Sequence, residues 1–172
     1  FIRVAKVGGQ NIRVIPGSKV IIHSFTGKEV PGVFGEKAIH LMSPEERRKL
    51  SEFDKLFIDI GVRSKSEAEA IVSLGDYVTF DSELERFPGT DRVYGKSIDN
   101  RIGCYIIYET LKRIKQSGKK PKYTIIAQFS TQEEIGTRGA IVGTYAKDPN
   151  VALVFDVGHS IDIPGSSKQD DG

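Results

Sequence analysis

Along residues 1–86 the apolar positions come in short runs that alternate with polar ones, and Gly or Pro closes most of them. "FIRVAKV", "IRVIPGSKVIIHSF" and "KLFIDIGV" carry the β-branched content of strands. Within the second, "VIPGSKVII" reads as strand, turn and strand, and "SLGDYVTFDSEL" as another pairing. Two short helices interrupt the pattern. Ser43-Pro44-Glu45-Glu46 has a capping serine, proline at the first helical position and glutamate three residues after the cap. Ser64-Lys65-Ser66-Glu67 repeats that spacing ahead of "AEAIVSL".

After Pro88 the period lengthens. A helix is predicted from Asp99-Asn100-Arg101 to about Gln116, with Ile102, Ile106, Ile107, Leu111 and Ile114 on one face. "KYTIIAQF" (122–129) then reads as a buried strand, "RGAIVGTYA" as a helix, and "VALVF" (151–155) as a second buried strand ending at Asp156. Strands alternating with helices predict an α/β unit with a mixed sheet flanked by helices, following a β-rich module.

Composition narrows the function classes. The 172 residues are 38% hydrophobic and 28% charged, with no tryptophan, which is the profile of a soluble globular chain of one or two domains. A formal net charge of +2 supplies no basic stripe, so nucleic acid is not an expected partner. No run approaches the length of a membrane span, so no membrane association is expected. Cys104 is the only cysteine, which excludes an intrachain disulfide and favours a reducing, cytoplasmic setting. The chain opens on "FIRVAKVGG" without methionine and closes on "PGSSKQDDG", so both ends are expected to be cuts in a longer polypeptide.

Chemistry gathers at the ends of the α/β strands. Asp99 opens a helix, Glu133 and Glu134 follow the run 122–129, and Asp156 follows the run 151–155. In an open α/β sheet those strand ends line one edge, where sites form. Each residue has a plainer reading: Asp99 as a helix cap, the glutamate pair facing solvent or the next helix, Asp156 as a turn residue. Carboxylates gathered at one edge repel unless cations hold them, and Asp and Glu oxygens suit divalent metals.

The wording of these segments goes further. "SIDNRIGC" (97–104), "STQEEIGTRGA" (130–140) and "VFDVGHSIDIPG" (154–165) resemble three motifs of the M42 metallo-aminopeptidases, the tetrahedral, glutamyl and deblocking type. "GVFGEKAIHLMSPEER", "LFIDIGVRSKSEAEA" and "GDYVTF" resemble that family's inserted apical domain. The resemblance implies a partial zinc-peptidase-like catalytic domain interrupted by a β-rich apical domain. Residues 1–9 would end a catalytic strand, 10–86 form the apical assembly domain, and 87–172 form part of the catalytic domain. It implies two divalent metal ions, zinc or cobalt, with Asp99 bridging them and Glu134 and Asp156 each holding one. Glu133 would be the general base, so the paired glutamates divide two tasks. The implied substrate is a peptide with a free N-terminus, trimmed one residue at a time. The implied partner is the chain itself, as a homo-oligomer of dimers building a dodecamer.

The family pattern also needs two histidine ligands, expected before Phe1 and beyond Gly172. His23 and His40 lie in the β-rich half and read as ordinary histidines, while His159 is expected beside the ligands rather than among them. The isolated chain is therefore expected to be an inactive middle portion. Alternatives are a related co-catalytic metallopeptidase or deacylase, and a non-catalytic scaffold or assembly fragment. An endoglucanase is not expected, since adjacent Glu133 and Glu134 do not suit carboxylates flanking a glycosidic bond.

Overall fold

The structure, a computed structural model, describes residues 1–166, and its contacts divide the chain into two compact units, Phe1–Glu83 and Leu84–Gly172. Asp99, Glu133, Glu134 and Asp156 all fall in the second unit.

The first unit is built on a four-stranded antiparallel sheet. Its strands are β1 (Lys19–His23), β2 (Glu29–Gly35), β3 (Phe57–Asp59) and β4 (Tyr77–Phe80), in the order β3-β2-β1-β4. Period-two alternation sends Val20 and Ile22 inward from β1, Phe34 from β2 and Ile58 from β3. The register sets them side by side, with Val20 opposite Phe80, Ile22 opposite Val78, and Phe34 opposite Ile58. Ile15, Leu56 and Val72 complete this core from outside the strands.

Gly32 lies between Val20 and Ile58, and a Cβ there would overlap the Ile58 side chain. The β1–β2 turn closes with Ser24 N–H donating to Lys28 O (2.9 Å) and with Gly27 in the left-handed region (φ +80°). β2 carries Pro31 and Gly32 in its middle, the two residues that hide it as a strand in the sequence. Pro31 is tolerated because β3 pairs β2 only from Val33 to Gly35.

Both short helices form. In α1 (Pro44–Arg48) the Ser43 hydroxyl accepts from Glu46 N–H, and the Glu46 carboxylate accepts from Ser43 N–H. That bond and the Lys37 ammonium beside it hold the Glu46 carboxyl below its ordinary value. In α2 (Lys65–Glu69) only half of the reciprocal cap is made, since the Glu67 carboxylate accepts from Arg63 N–H instead. The expected first strand is reduced to a single bridge, Ile2 to Ile58, fastened by Arg3 donating to Asp54 O and Leu56 O. Residues Ile12–Val14 form a turn of 3-10 helix rather than a strand.

The second unit begins with a hairpin, β5 (Glu85–Arg86) and β6 (Val93–Tyr94), in which the Tyr94 hydroxyl donates to Glu85 Oε2. Two helices follow, α3 (Ile98–Gln116) and α4 (Arg138–Lys147). The runs 122–129 and 151–155 are not strands, which corrects the sequence expectation, and they are not buried. Tyr123 is 75% exposed, Leu153 80% and Val154 88%. A strand exists only where a second one accepts its hydrogen bonds, and no described residue pairs with either run. No helix among the described residues is long and apolar enough to cross a membrane.

Candidate active site

Asp99 sits at a break rather than in a regular first turn. Ser97 is in the left-handed region (φ 59°), Asp99 and Asn100 have non-helical backbone angles, and the regular part of α3 begins after them. No side-chain cap is made at Ser97, and Asp99 is exposed. Asp99 therefore does not act as the helix cap its plainer reading proposed.

Asn100 is what ties this break down. Its Nδ2 donates to Phe155 O (2.8 Å) and to Asp156 Oδ1 (3.0 Å), and its Oδ1 accepts from Gly103 N–H (2.8 Å). Gly103 is buried and leaves no space for a side chain, because a Cβ there would overlap the Asn100 carboxamide. Asp156 Oδ1 also accepts from Val157 N–H (2.8 Å). Asp156 is thus tied by one side chain to the residue that follows Asp99.

Glu133 and Glu134 lie on the turn that leads into α4. Gln132 before them adopts a left-handed conformation (φ 60°), as does Thr137 after them (φ 51°). Non-glycine residues in that region cost free energy, and such positions concentrate at functional turns. The turn is closed by Gly136 and Thr137 N–H donating to Glu133 O (both 2.9 Å), and by Gly139 N–H donating to Thr131 O (3.0 Å). Gln128 Nε2 donates to Gly139 O (3.2 Å), tying the run 122–129 to the start of α4. Both glutamates are exposed.

Among the described residues no group of three or more His, Cys, Asp or Glu side chains is placed to hold a metal ion. The donor chemistry of Asp99, Glu134 and Asp156 suits a divalent cation. Among the described residues, however, they form no group that could hold one. As placed, these residues do not hold a metal.

The neighbouring segment 158–166 is pinned separately. Arg92 Nη2 donates to Asp162 Oδ2 (2.6 Å), and the Ser160 hydroxyl donates to Asp162 Oδ1. The Ser160 hydrogen bond, with the Arg92 guanidinium next, holds the Asp162 carboxyl below its ordinary value. In the first unit His23 is engaged by its strand neighbours. Its Nε2 shares a hydrogen bond with the Thr79 hydroxyl (2.8 Å) and its Nδ1 lies 3.4 Å from Glu29.

Asn100 and Gln128 hold these segments without being predictable as site residues; for Asn100 the one signal in the sequence is Gly103, three residues on, where the first turn of α3 needs room.

The M42 glutamyl aminopeptidase family model matches residues 1–172. The chain is similar to the crystal structure of a TET aminopeptidase from a marine sediment Thaumarchaeota archaeon, at 35% identity and a TM-score of 0.87, over 92% of this chain and 45% of that one. It is similar to the TET1 peptidase of Pyrococcus horikoshii, which can assemble into a tetrahedron or a large octahedral shell, at 30% identity and a TM-score of 0.72. That match covers 83% of this chain and 42% of the other. The glutamyl aminopeptidase of Lactococcus lactis is 28% identical over 165 residues, 95% of this chain and 46% of that protein. The chain spans less than half the length of each of these relatives. The mixed α/β architecture, an antiparallel sheet with helices, is one shared with aminopeptidase structures.

Proposed function

The chain belongs to the M42 glutamyl aminopeptidase family, and from that premise we propose that it is part of a metal-dependent aminopeptidase that removes residues from the N-terminus of peptides. The observation that carries this reading is the family match over residues 1–172, on a chain whose motifs place Asp99, Glu133, Glu134 and Asp156 in order. Residues 10–86 serve as an apical assembly domain, 1–9 as the end of a catalytic strand, and 87–172 as part of a zinc-peptidase-like catalytic domain.

Asp99, Glu134 and Asp156 are the carboxylates assigned to two divalent metal ions, zinc or cobalt, and the placed residues do not build that centre by themselves. Bound metal ions would supply Lewis acidity toward a water and the scissile carbonyl. Glu133 does the proton work: it takes a proton from the attacking water and delivers it to the departing amine. A carboxylate one residue from a metal-held neighbour suits this, because a metal held by Glu134 would leave both Glu133 oxygens free for the proton. Homo-oligomerisation is the assembly mode proposed, as dimers building a dodecamer. The tetrahedral and octahedral assemblies of the Pyrococcus horikoshii peptidase support the coarser part of that reading.

The test uses a polypeptide of the relatives' length that carries residues 1–172, assayed on aminoacyl anilides and free-N-terminus peptides with added zinc or cobalt. Metal-dependent release of single N-terminal residues, abolished by Glu133→Gln with metal content retained, is the expected result. Undiminished turnover in Glu133→Gln refutes the assignment of the base. The 172-residue chain alone is expected to release none.

A further inference from the structure

We propose that the cleft beside α1 in the first unit is an interface for a second copy of this chain, and that it takes the acidic segment Asp81-Ser82-Glu83-Leu84-Glu85 of that copy. The choice of a second copy as occupant rests on the homo-oligomerisation proposed above, whereas the match of charge and apolar surface rests on the cleft and the segment.

The cleft, of about 450 Å³, lies between the turn Ile12–Val14, the residues after β2, and α1 with its flanks. Its apolar lining includes Ile39, Met42 and Leu50. Ile39 is 62% exposed and Leu50 52%, so apolar surface here is left in water that an occupant would displace. The rest of the lining is mostly cationic. Lys37 is neutralised by Glu46 (2.9 Å), but Arg13, Arg47 and Lys49 make no ion pair among the described residues. Glu36 is the carboxylate of the lining that lacks a cation. Arg47 Nε donates to Ile39 O (3.0 Å) and Met42 O (3.2 Å), which holds its charge at the cleft.

An occupant that suits this cleft carries an apolar side chain and more than one negative charge. Among the described residues, three acids within five positions occur only at Asp81, Glu83 and Glu85. Leu84, between the last two, is 69% exposed. Asp81 and Glu83 make no ion pair among the described residues, and Glu85 accepts from the Tyr94 hydroxyl. The segment does not line the cleft of its own chain, so the contact is one between copies. Each copy carries both halves, and two chains can satisfy each other reciprocally across a two-fold axis.

Charge reversal on each half separately, then together, tests the match. Association of the 172-residue chain is followed by analytical ultracentrifugation, with the Met42 methyl labelled with carbon-13. Met42 is the only methionine and lines the cleft, so its signal reports occupancy of the cleft itself. The unsubstituted chain is expected to self-associate at low salt and less so at about 1 M salt, with its Met42 signal moving as concentration rises. Lys49→Glu and Glu83→Lys, both at exposed positions, are each expected to weaken association about tenfold or more. Mixed in equal amounts, the two variants are expected to associate as tightly as the unsubstituted chain. The reversed cleft then meets the reversed segment, and the unsubstituted cleft meets the unsubstituted segment.

Association of both variants within about twofold of the unsubstituted chain overturns the interface. So does a mixture no tighter than either variant alone, or association that leaves the Met42 signal unmoved. An unsubstituted chain that stays monomeric up to about 1 mM overturns it as well. The assembly reading itself fails on a different result, a polypeptide of the relatives' length that is monomeric.

Discussion

Gly103→Ala sets two physical effects against each other, and the sign of the outcome decides between them. Alanine is favoured over glycine in a helix interior by about 1 kcal/mol, so propensity alone predicts a more stable α3. The structure predicts the reverse. Gly103 is buried, and a Cβ there would overlap the Asn100 carboxamide, so the carboxamide must swing away. That movement endangers the three hydrogen bonds Asn100 makes to Gly103 N–H, Phe155 O and Asp156 Oδ1.

At a net value of about 0.5–1.5 kcal/mol each, losing all three costs about 1.5–4.5 kcal/mol, with more for a buried N–H left unpaired. Subtracting the propensity gain leaves about 0.5–3.5 kcal/mol, and the unpaired Gly103 N–H lifts the lower end to about 1 kcal/mol or more. Hydrogen exchange of the α3 amides, read by mass spectrometry, is the suitable assay, because local opening is reported where it occurs. The expectation is faster exchange over residues 101–107 by about fivefold or more, with the first unit unchanged. Thr110→Ala, on an exposed position of the same helix, is the control and should slow exchange slightly. Slower exchange in Gly103→Ala would refute the reasoning, since it would mean that the Asn100 network contributes less than helix propensity.

Ile58→Ala should destabilise the first unit by about 2–5 kcal/mol, because Ile58 is 0% exposed at the centre of its core; urea unfolding followed by circular dichroism checks this. Ser43→Ala should cost about 1 kcal/mol and fray α1 alone, seen as faster exchange at Glu46 and Arg47 with the sheet amides unaffected. The Asp162 carboxyl is lowered by Ser160 and Arg92, so the folded chain binds that proton more weakly than the unfolded one. The clamp therefore supports the segment 158–166 above about pH 4 and is lost as pH falls through the lowered value. Exchange of that segment should accelerate over that acid range in the unsubstituted chain and show no such step in Asp162→Asn.

What the sequence makes legible follows the range of the interaction. The Ser43 and Ser64 caps, the helix α4 and the turn at Gly17 are local events, decided within four or five residues, and all can be read directly. β1, β3 and β4 are legible because their alternation is intact. β2 is not, since Pro31 and Gly32 imitate a turn. Only the packing of Gly32 against Ile58, some 26 positions away, explains why a strand uses a glycine there. Asp99 as a helix cap fails for a similar reason: Asn100 takes hydrogen bonds 55 and 56 residues away, and the backbone follows that side chain instead of the helix.

The same distinction governs the candidate site. Carboxylates at the ends of two strands share an edge only when the strands are paired, because pairing is what sets their register. The runs 122–129 and 151–155 have the apolar composition of strands buried on both faces, yet neither is buried and both are unpaired among the described residues. Among the described residues no metal-holding group then forms. The link from Asn100 to Asp156 is an exception because it does not depend on a sheet: a side chain spans it. The glutamate turn is likewise shaped by its own hydrogen bonds to Glu133 O and Thr131 O, with Gln128 holding α4. Each half of the candidate site is therefore preorganised locally, and what the sheet would add is their distance from one another.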